Sequence, residues 1–254
     1  MILDDITQAR KIQLEAEKAA YPRAKAEAEK ISRPALDFRA ALKREKISVI
    51  AEVKKASPSK GVICADFRPA ETAAAYERSG ADAVSVLTEE RFFLGANEYL
   101  SEIRREIALP LLRKDFVLDP FQIYHARALG ADAVLLIAAL LPPPVMREYV
   151  KIAEALSLCV LAEAHDEREL EACVAAGASV IGVNNRDLRD FSVDLSLSAR
   201  LFSLIPGDEY VRVAESGIKT AEDARFLRES GADAVLVGEA LMRGGGFNEL
   251  FGGI

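Results

Sequence analysis

The chain has 254 residues, 50% of them hydrophobic and 29% charged, with a formal net charge of −7. That composition belongs to a globular protein of one-domain size. The acidic balance excludes a nucleic-acid or anionic-membrane binder, which would need a basic patch. The longest apolar run, 133–141, ends at three prolines and is too short to span a bilayer.

Residues 1–46 are dominated by Ala, Lys and Glu and broken near Pro22 and Pro34, which predicts two or three helices. Such an extension either caps the bottom of the main body or crosses its top and helps cover a ligand. Its first residues carry no basic segment ahead of an apolar one, so no signal peptide is expected. Cys64, Cys159 and Cys173 show no paired spacing and read as reduced thiols of a cytoplasmic protein.

From residue 47 onward, short apolar runs alternate with helical stretches. The runs are 49–51, 84–87, 110–113, 134–137, 158–162, 180–183, 211–214 and 235–237. Four near-identical pieces punctuate them: GADAV at 80–84, 130–134 and 231–235, and GASVI at 177–181. Their glycines recur at intervals of 50, 47 and 54 residues. Each reads as a helix C-cap feeding a buried parallel strand. A strand-plus-helix unit takes roughly 25–30 residues, so each interval holds two units. Eight strands follow, and with them a (β/α)8 TIM barrel over 47–254, one domain with the N-terminal helical extension. Asp119-Pro120, Asp166 with Glu169, and Thr220 with Asp223 mark helix starts along the way.

In such barrels the chemistry sits at the C-terminal strand ends. There the runs lead into Glu52 and Lys54, Lys114, Glu163, Asn184, and Glu215. Two lysines and several carboxylates at one rim supply a proton donor and a proton acceptor. Lys54, Lys55, Lys60, Lys114 and Arg186 suit a small anionic substrate. Ser216-Gly217 after strand seven and Gly238 after strand eight can offer backbone N–H groups to a phosphate, with Ser57 completing the cradle. Phe93, Phe116, Leu135 and Leu188 would wall a flat substrate portion, whereas Phe92 reads as core packing. His125 and His165 read as surface residues. The sequence contains no dinucleotide fingerprint and no metal-ligand spacing.

These motifs resemble one family. IAEVKKASPSKG at 50–61, LTEERFFLG at 87–95, LRKDF at 112–116, GVNNRDL at 182–188, VAESGI at 213–218 and VGEALMR at 237–243 look like indole-3-glycerol phosphate synthase. The resemblance runs end to end, including the helical extension. It implies ring closure of 1-(2-carboxyphenylamino)-1-deoxyribulose 5-phosphate to indole-3-glycerol phosphate, with loss of CO2 and water, in tryptophan biosynthesis. No cofactor and no metal are then expected, and the partner is this phosphorylated small molecule alone, bound by a monomer.

Carried over residue by residue, Lys114 would be the general acid and Glu163 its partner in proton removal and dehydration. Lys54 would meet the substrate carboxylate or act as a second acid, held by Glu52. Arg186 would assist at that carboxylate, and Asn184 and Glu215 would bind sugar hydroxyls. The phosphate would rest on Ser57, Ser216, Gly217, Gly238 and the N–H of Glu239. Phe93, Phe116, Leu135 and Leu188 would hold the ring, and Leu236 joins the binding set. Two positions depart from the family pattern: Arg113, expected to point outward between barrel and helices, and Glu239, whose side chain would turn away from the phosphate. The rival readings are a Schiff-base aldolase acting through Lys114 on a phosphorylated sugar and a non-catalytic phosphate-binding barrel.

Overall fold

The computed structural model describes residues 2–187, 189–243 and 245–252. Eight parallel strands close on themselves: β1 (Ser48–Val53), β2 (Ala83–Leu87), β3 (Leu111–Lys114), β4 (Ala133–Ile137), β5 (Cys159–Ala164), β6 (Val180–Asn184), β7 (Val211–Glu215) and β8 (Ala234–Val237). β1 pairs with both β2 and β8, which closes the barrel. Among the described residues, no helix is long and apolar enough to cross a membrane.

The four repeated pieces do what their chemistry dictates. Gly80, Gly130, Gly177 and Gly231 all have φ between 90° and 99°, a region open to glycine at little cost, where the preceding helix ends. The aspartate two residues on has a second task. Asp82, Asp132 and Asp233 accept hydrogen bonds from the N–H groups of Val49, Leu111 and Arg212, near the start of a neighbouring strand. Three of the four repeats thus cap a helix and pin two strands together, while the fourth has Ser179 in the aspartate position.

Side chains alternate across the sheet. Outward residues such as Val84, Val86, Val134 and Leu136 pack beneath the helices. Inward ones, among them Ile50, Leu112, Leu135, Leu161, Val213 and Leu236, fill the barrel. The extension divides its work. Helix α3 (Phe38–Leu42) buries Phe38 and Leu42 among the lower inward residues and closes the bottom. Helix α1 (Ile2–Ala20) passes the upper ends of β2 and β3, where Arg10 binds Asp115 and Gln13 binds the Thr88 carbonyl. The two readings of the extension both hold, each for a different helix.

Arg113 lies on the outward register as alternation requires, and is fully buried. It binds Asp115 at 2.9 Å, Asn97 at 2.7 Å, Thr88 at 3.1 Å and the Gln122 carbonyl at 3.1 Å. Two expectations fail. His125 is buried rather than exposed, its ring 4.5 Å from that of Tyr21 and 5.3 Å from that of Phe121. Phe92 is half-buried outside the core, beneath the Arg91 guanidinium.

Candidate active site

A cavity of about 520 Å³ opens at the C-terminal ends of the strands. Lys114, Glu163, Asn184 and Glu215 lie at the C-terminal ends of their strands and are still paired in the ladder. Leu87 registers with Lys114, Ile137 with Glu163, and Asn184 with Glu215. Membership of the ladder fixes their backbones, and inward parity brings their side chains to one layer.

The lysines are held by carboxylates. Lys114 Nζ lies 2.7 Å from Glu215 Oε2 and 3.7 Å from Glu163 Oε2, so its nearest partner is Glu215 rather than Glu163. Lys54 Nζ sits 2.5 Å from Glu52 Oε1, as expected of a holding pair. Burial disfavours the Lys114 charge, but Glu215, Glu163 and Glu52 outweigh it and raise its pKa above the ordinary lysine range. A neutral amine, which Schiff-base attack requires, is therefore disfavoured at this position.

The carboxylates diverge. Burial pushes Glu163 up, but His165, Lys114 and Asn184 overcome it and bring it down to about 2. Burial pushes Glu215 up too. Lys114 opposes this, yet nearby Glu163 and Glu52 add repulsion, and Glu215 rises to about 7. Its Oε1 is buried without a hydrogen-bond partner among the described residues. Three buried carboxylates share two ammonium groups here, and Glu215 keeps the proton most readily.

Two glycines make room for these acids. A Cβ on Gly182 would stand 2.3 Å from Glu215 Oε1, and one on Gly238 would stand 2.3 Å from Glu52 Oε1. Either substitution would displace a carboxylate.

Across the cavity, Ser57, Ser216, Gly217, Gly238 and Glu239 form one side. Ser216 and Gly217 have φ of 66° and 88°. A serine held in the left-handed region stores strain, as chain does at sites that present backbone to a ligand. Glu239 pairs with Arg243 at 3.3 Å, so its carboxylate is occupied at the edge of this cradle. Phe93, Phe116, Leu135 and Leu236 line the cavity, with the two phenylalanine rings 5.9 Å apart. Arg186 also lines it and donates to the Phe191 carbonyl at 3.2 Å. Leu188 lies outside the described residues. Lys55 and Lys60 do not appear in the described lining.

Sequence reasoning missed several lining residues. Ile2, Leu3 and Ile6 of α1, Phe191, Lys219 and Arg243 all face the cavity. It also misplaced His165, which stands 3.2 Å from Glu163 and 2.9 Å from Glu169. Its position two residues past Glu163, just beyond β5 and in step with its alternation, was the available signal.

The comparisons agree with the geometry. Residues 3–249 match the family model described as indole-3-glycerol phosphate synthase. A relative of that name from Ruminiclostridium cellulolyticum is 48% identical over 248 residues, covering 96% of this chain and 95% of its own. Another, from Acetivibrio thermocellus, is 49% identical over 254 residues, covering 98% and 97%. Among solved structures, the N-acetylmannosamine-6-phosphate 2-epimerase from Clostridium perfringens aligns with a TM-score of 0.65. It is 15% identical and covers 84% of this chain and 94% of its own, a likeness of fold alone.

Proposed function

The chain belongs to the indole-3-glycerol phosphate synthase family, and from that premise we infer how its residues carry the reaction. The substrate is 1-(2-carboxyphenylamino)-1-deoxyribulose 5-phosphate, and the products are indole-3-glycerol phosphate, CO2 and water.

The ring carbon bearing the carboxylate attacks the ketone carbon, and Lys114 protonates the ketone oxygen. CO2 departs from the attacking ring carbon, and the electron pair of the broken carbon–carbon bond restores the aromatic ring. The new hydroxyl then leaves as water, with Glu163 taking the proton from the neighbouring carbon and Lys54 as second acid. Asn184 and Glu215 hold the sugar hydroxyls, Arg186 assists at the substrate carboxylate, and Phe93 and Phe116 flank the ring. Phosphate rests on the Ser57, Ser216–Gly217 and Gly238–Glu239 side, with Lys219 and Arg243 supplying positive charge nearby.

One observation carries this assignment: a lysine held charged lies 3.7 Å from a carboxylate held ionised, in one buried layer. General acid–base chemistry needs that pairing, typically worth 10²–10⁴ in rate. A monomer working in the cytoplasm is part of the same reading, and the chemistry suits a cytoplasmic biosynthetic enzyme.

The chain contains no Trp, so indole formation is read as new fluorescence over a low protein background. Lys114→Ala is expected to lose roughly 10²–10⁴ in kcat while still binding substrate. Glu163→Gln is expected to lower kcat by a similar order with KM little changed; a loss confined to KM would move Glu163 from chemistry to binding.

A further inference from the structure

We propose that His165 is a positioning residue for Glu163: an imidazolium clamped by Glu169 that holds the Glu163 carboxylate in place and ionised beneath the substrate. The inference rests on the role given to Glu163 above.

The clamp is made of three parts. His165 follows β5 two residues after Glu163, and its Nε2 lies 3.2 Å from Glu163 Oε1. The two atoms lie within ion-pair distance without hydrogen-bond alignment, and among the described residues Nε2 is buried with no hydrogen-bond partner. On the other side of the ring, Nδ1 lies 2.9 Å from Glu169 Oε2, and the same oxygen accepts the His165 backbone N–H at 2.8 Å. Glu169 is itself fixed. It occupies the first turn of helix α8 (Glu167–Ala176), where Asp166 accepts its N–H at 2.8 Å. Ring and backbone of His165 are therefore held from one carboxylate, and the second ring nitrogen can only face Glu163.

The charges around the ring favour its cationic form. Glu163 faces it from β5, Glu169 from α8, and Asp187, just past β6, feels its charge. Burial lowers the imidazole, but the two glutamates outweigh it and raise it to about 10. Without that cation, Glu163 would keep Lys114 at 3.7 Å and Asn184 at 3.3 Å as neighbours, and Lys114 is committed to Glu215 at 2.7 Å. Nothing else would balance the Glu163 Oε1 charge at short range among the described residues. A lysine could supply the charge from a single atom, whereas the flat ring, with a nitrogen on each side, joins two carboxylates while remaining rigid.

The test uses the chain's histidine count, which is two. In the unliganded protein, the ring proton signals of His125 and His165 are assigned by His125→Phe. His165 is expected to stay protonated from pH 5 to 8, and to titrate within that range in Glu163→Gln. A His165 signal that titrates near pH 6.5 in the unaltered protein overturns the proposal.

Kinetics give the second arm. His165→Leu is expected to lower kcat at least tenfold with KM within about threefold, and to move the acid limb of the kcat profile upward by about one pH unit. His165→Gln, which retains a neutral donor, should recover part of kcat and leave the acid limb shifted. Glu169→Gln should act in the same direction as His165→Leu, more weakly. Unchanged acid limbs in all three variants overturn the proposal. If the unaltered protein forms no indole product, the functional reading fails instead, and the resonance titration still decides the clamp.

Discussion

His125 and His165 titrate in opposite directions because of what surrounds them. Asp115 pulls His125 upward, but burial, then Arg113 and Arg10, outweigh it and push it down to about 3. Above pH 6.5 the ring is neutral whether the chain is folded or unfolded. Below that, the unfolded chain binds a proton that the folded one refuses, so stability falls from pH 6.5 towards pH 3, at about 1.4 kcal/mol per unit. His125→Phe keeps the ring contacts with Tyr21 and Phe121 and removes the titration. Between pH 7 and pH 5 it is expected to lose about 2 kcal/mol less than the unaltered protein, measured by denaturant unfolding. Gly182 makes a second prediction at this scale. Gly182→Ala drives a methyl into Glu215 and leaves the outward face of β6 intact. It is expected to cost about 1–3 kcal/mol of stability and at least a tenfold loss in kcat/KM, checked by melting and by product fluorescence.

Helix α1 is joined to the barrel by charge. Arg10, wholly buried, reaches Asp115 at 2.7 Å and Glu17 at 2.8 Å, and Arg113 binds the same aspartate from the barrel side. Burial works against the Arg10 charge, but Asp115 and Glu17 outweigh it and raise its pKa. Removing one member strands the others, which typically costs about 3–5 kcal/mol. Arg10→Ala is expected to lose that much in denaturant unfolding. It should also raise KM, since Ile2, Leu3 and Ile6 at the start of α1 line the cavity. Helical character over these residues was legible from composition and from the two prolines. The docking was not, because Arg10 and Asp115 are 105 positions apart and alternating charges on a helix ordinarily mean a wet face. Arg113 was legible as outward, by parity from Lys114. Its partners were not, for the same reason of distance.

The barrel as a whole was legible because its repeated pieces act locally. A glycine that ends a helix recurs in four of these pieces, and in three of them an aspartate two residues on ties the next strand to its neighbour. The charged layer at the cavity floor was legible through Lys114, Glu163 and Glu215, since charge at the inward end of an apolar strand has few explanations. Beyond the start of α1, what escaped notice lies on loops. Phe191, Lys219 and Arg243 reach the cavity through turns with no periodicity, and Phe191 does so from a left-handed backbone (φ 63°) that its residue type gives no reason to expect.

The vacant positions opposite Glu215 and Glu52 bear on any attempt to graft this chemistry elsewhere. Copying acids and lysines onto another (β/α)8 scaffold would fail wherever the host strand carries even a methyl at the matching height. The transferable unit is a glutamate together with the bare hydrogen that faces it, on two strands at once.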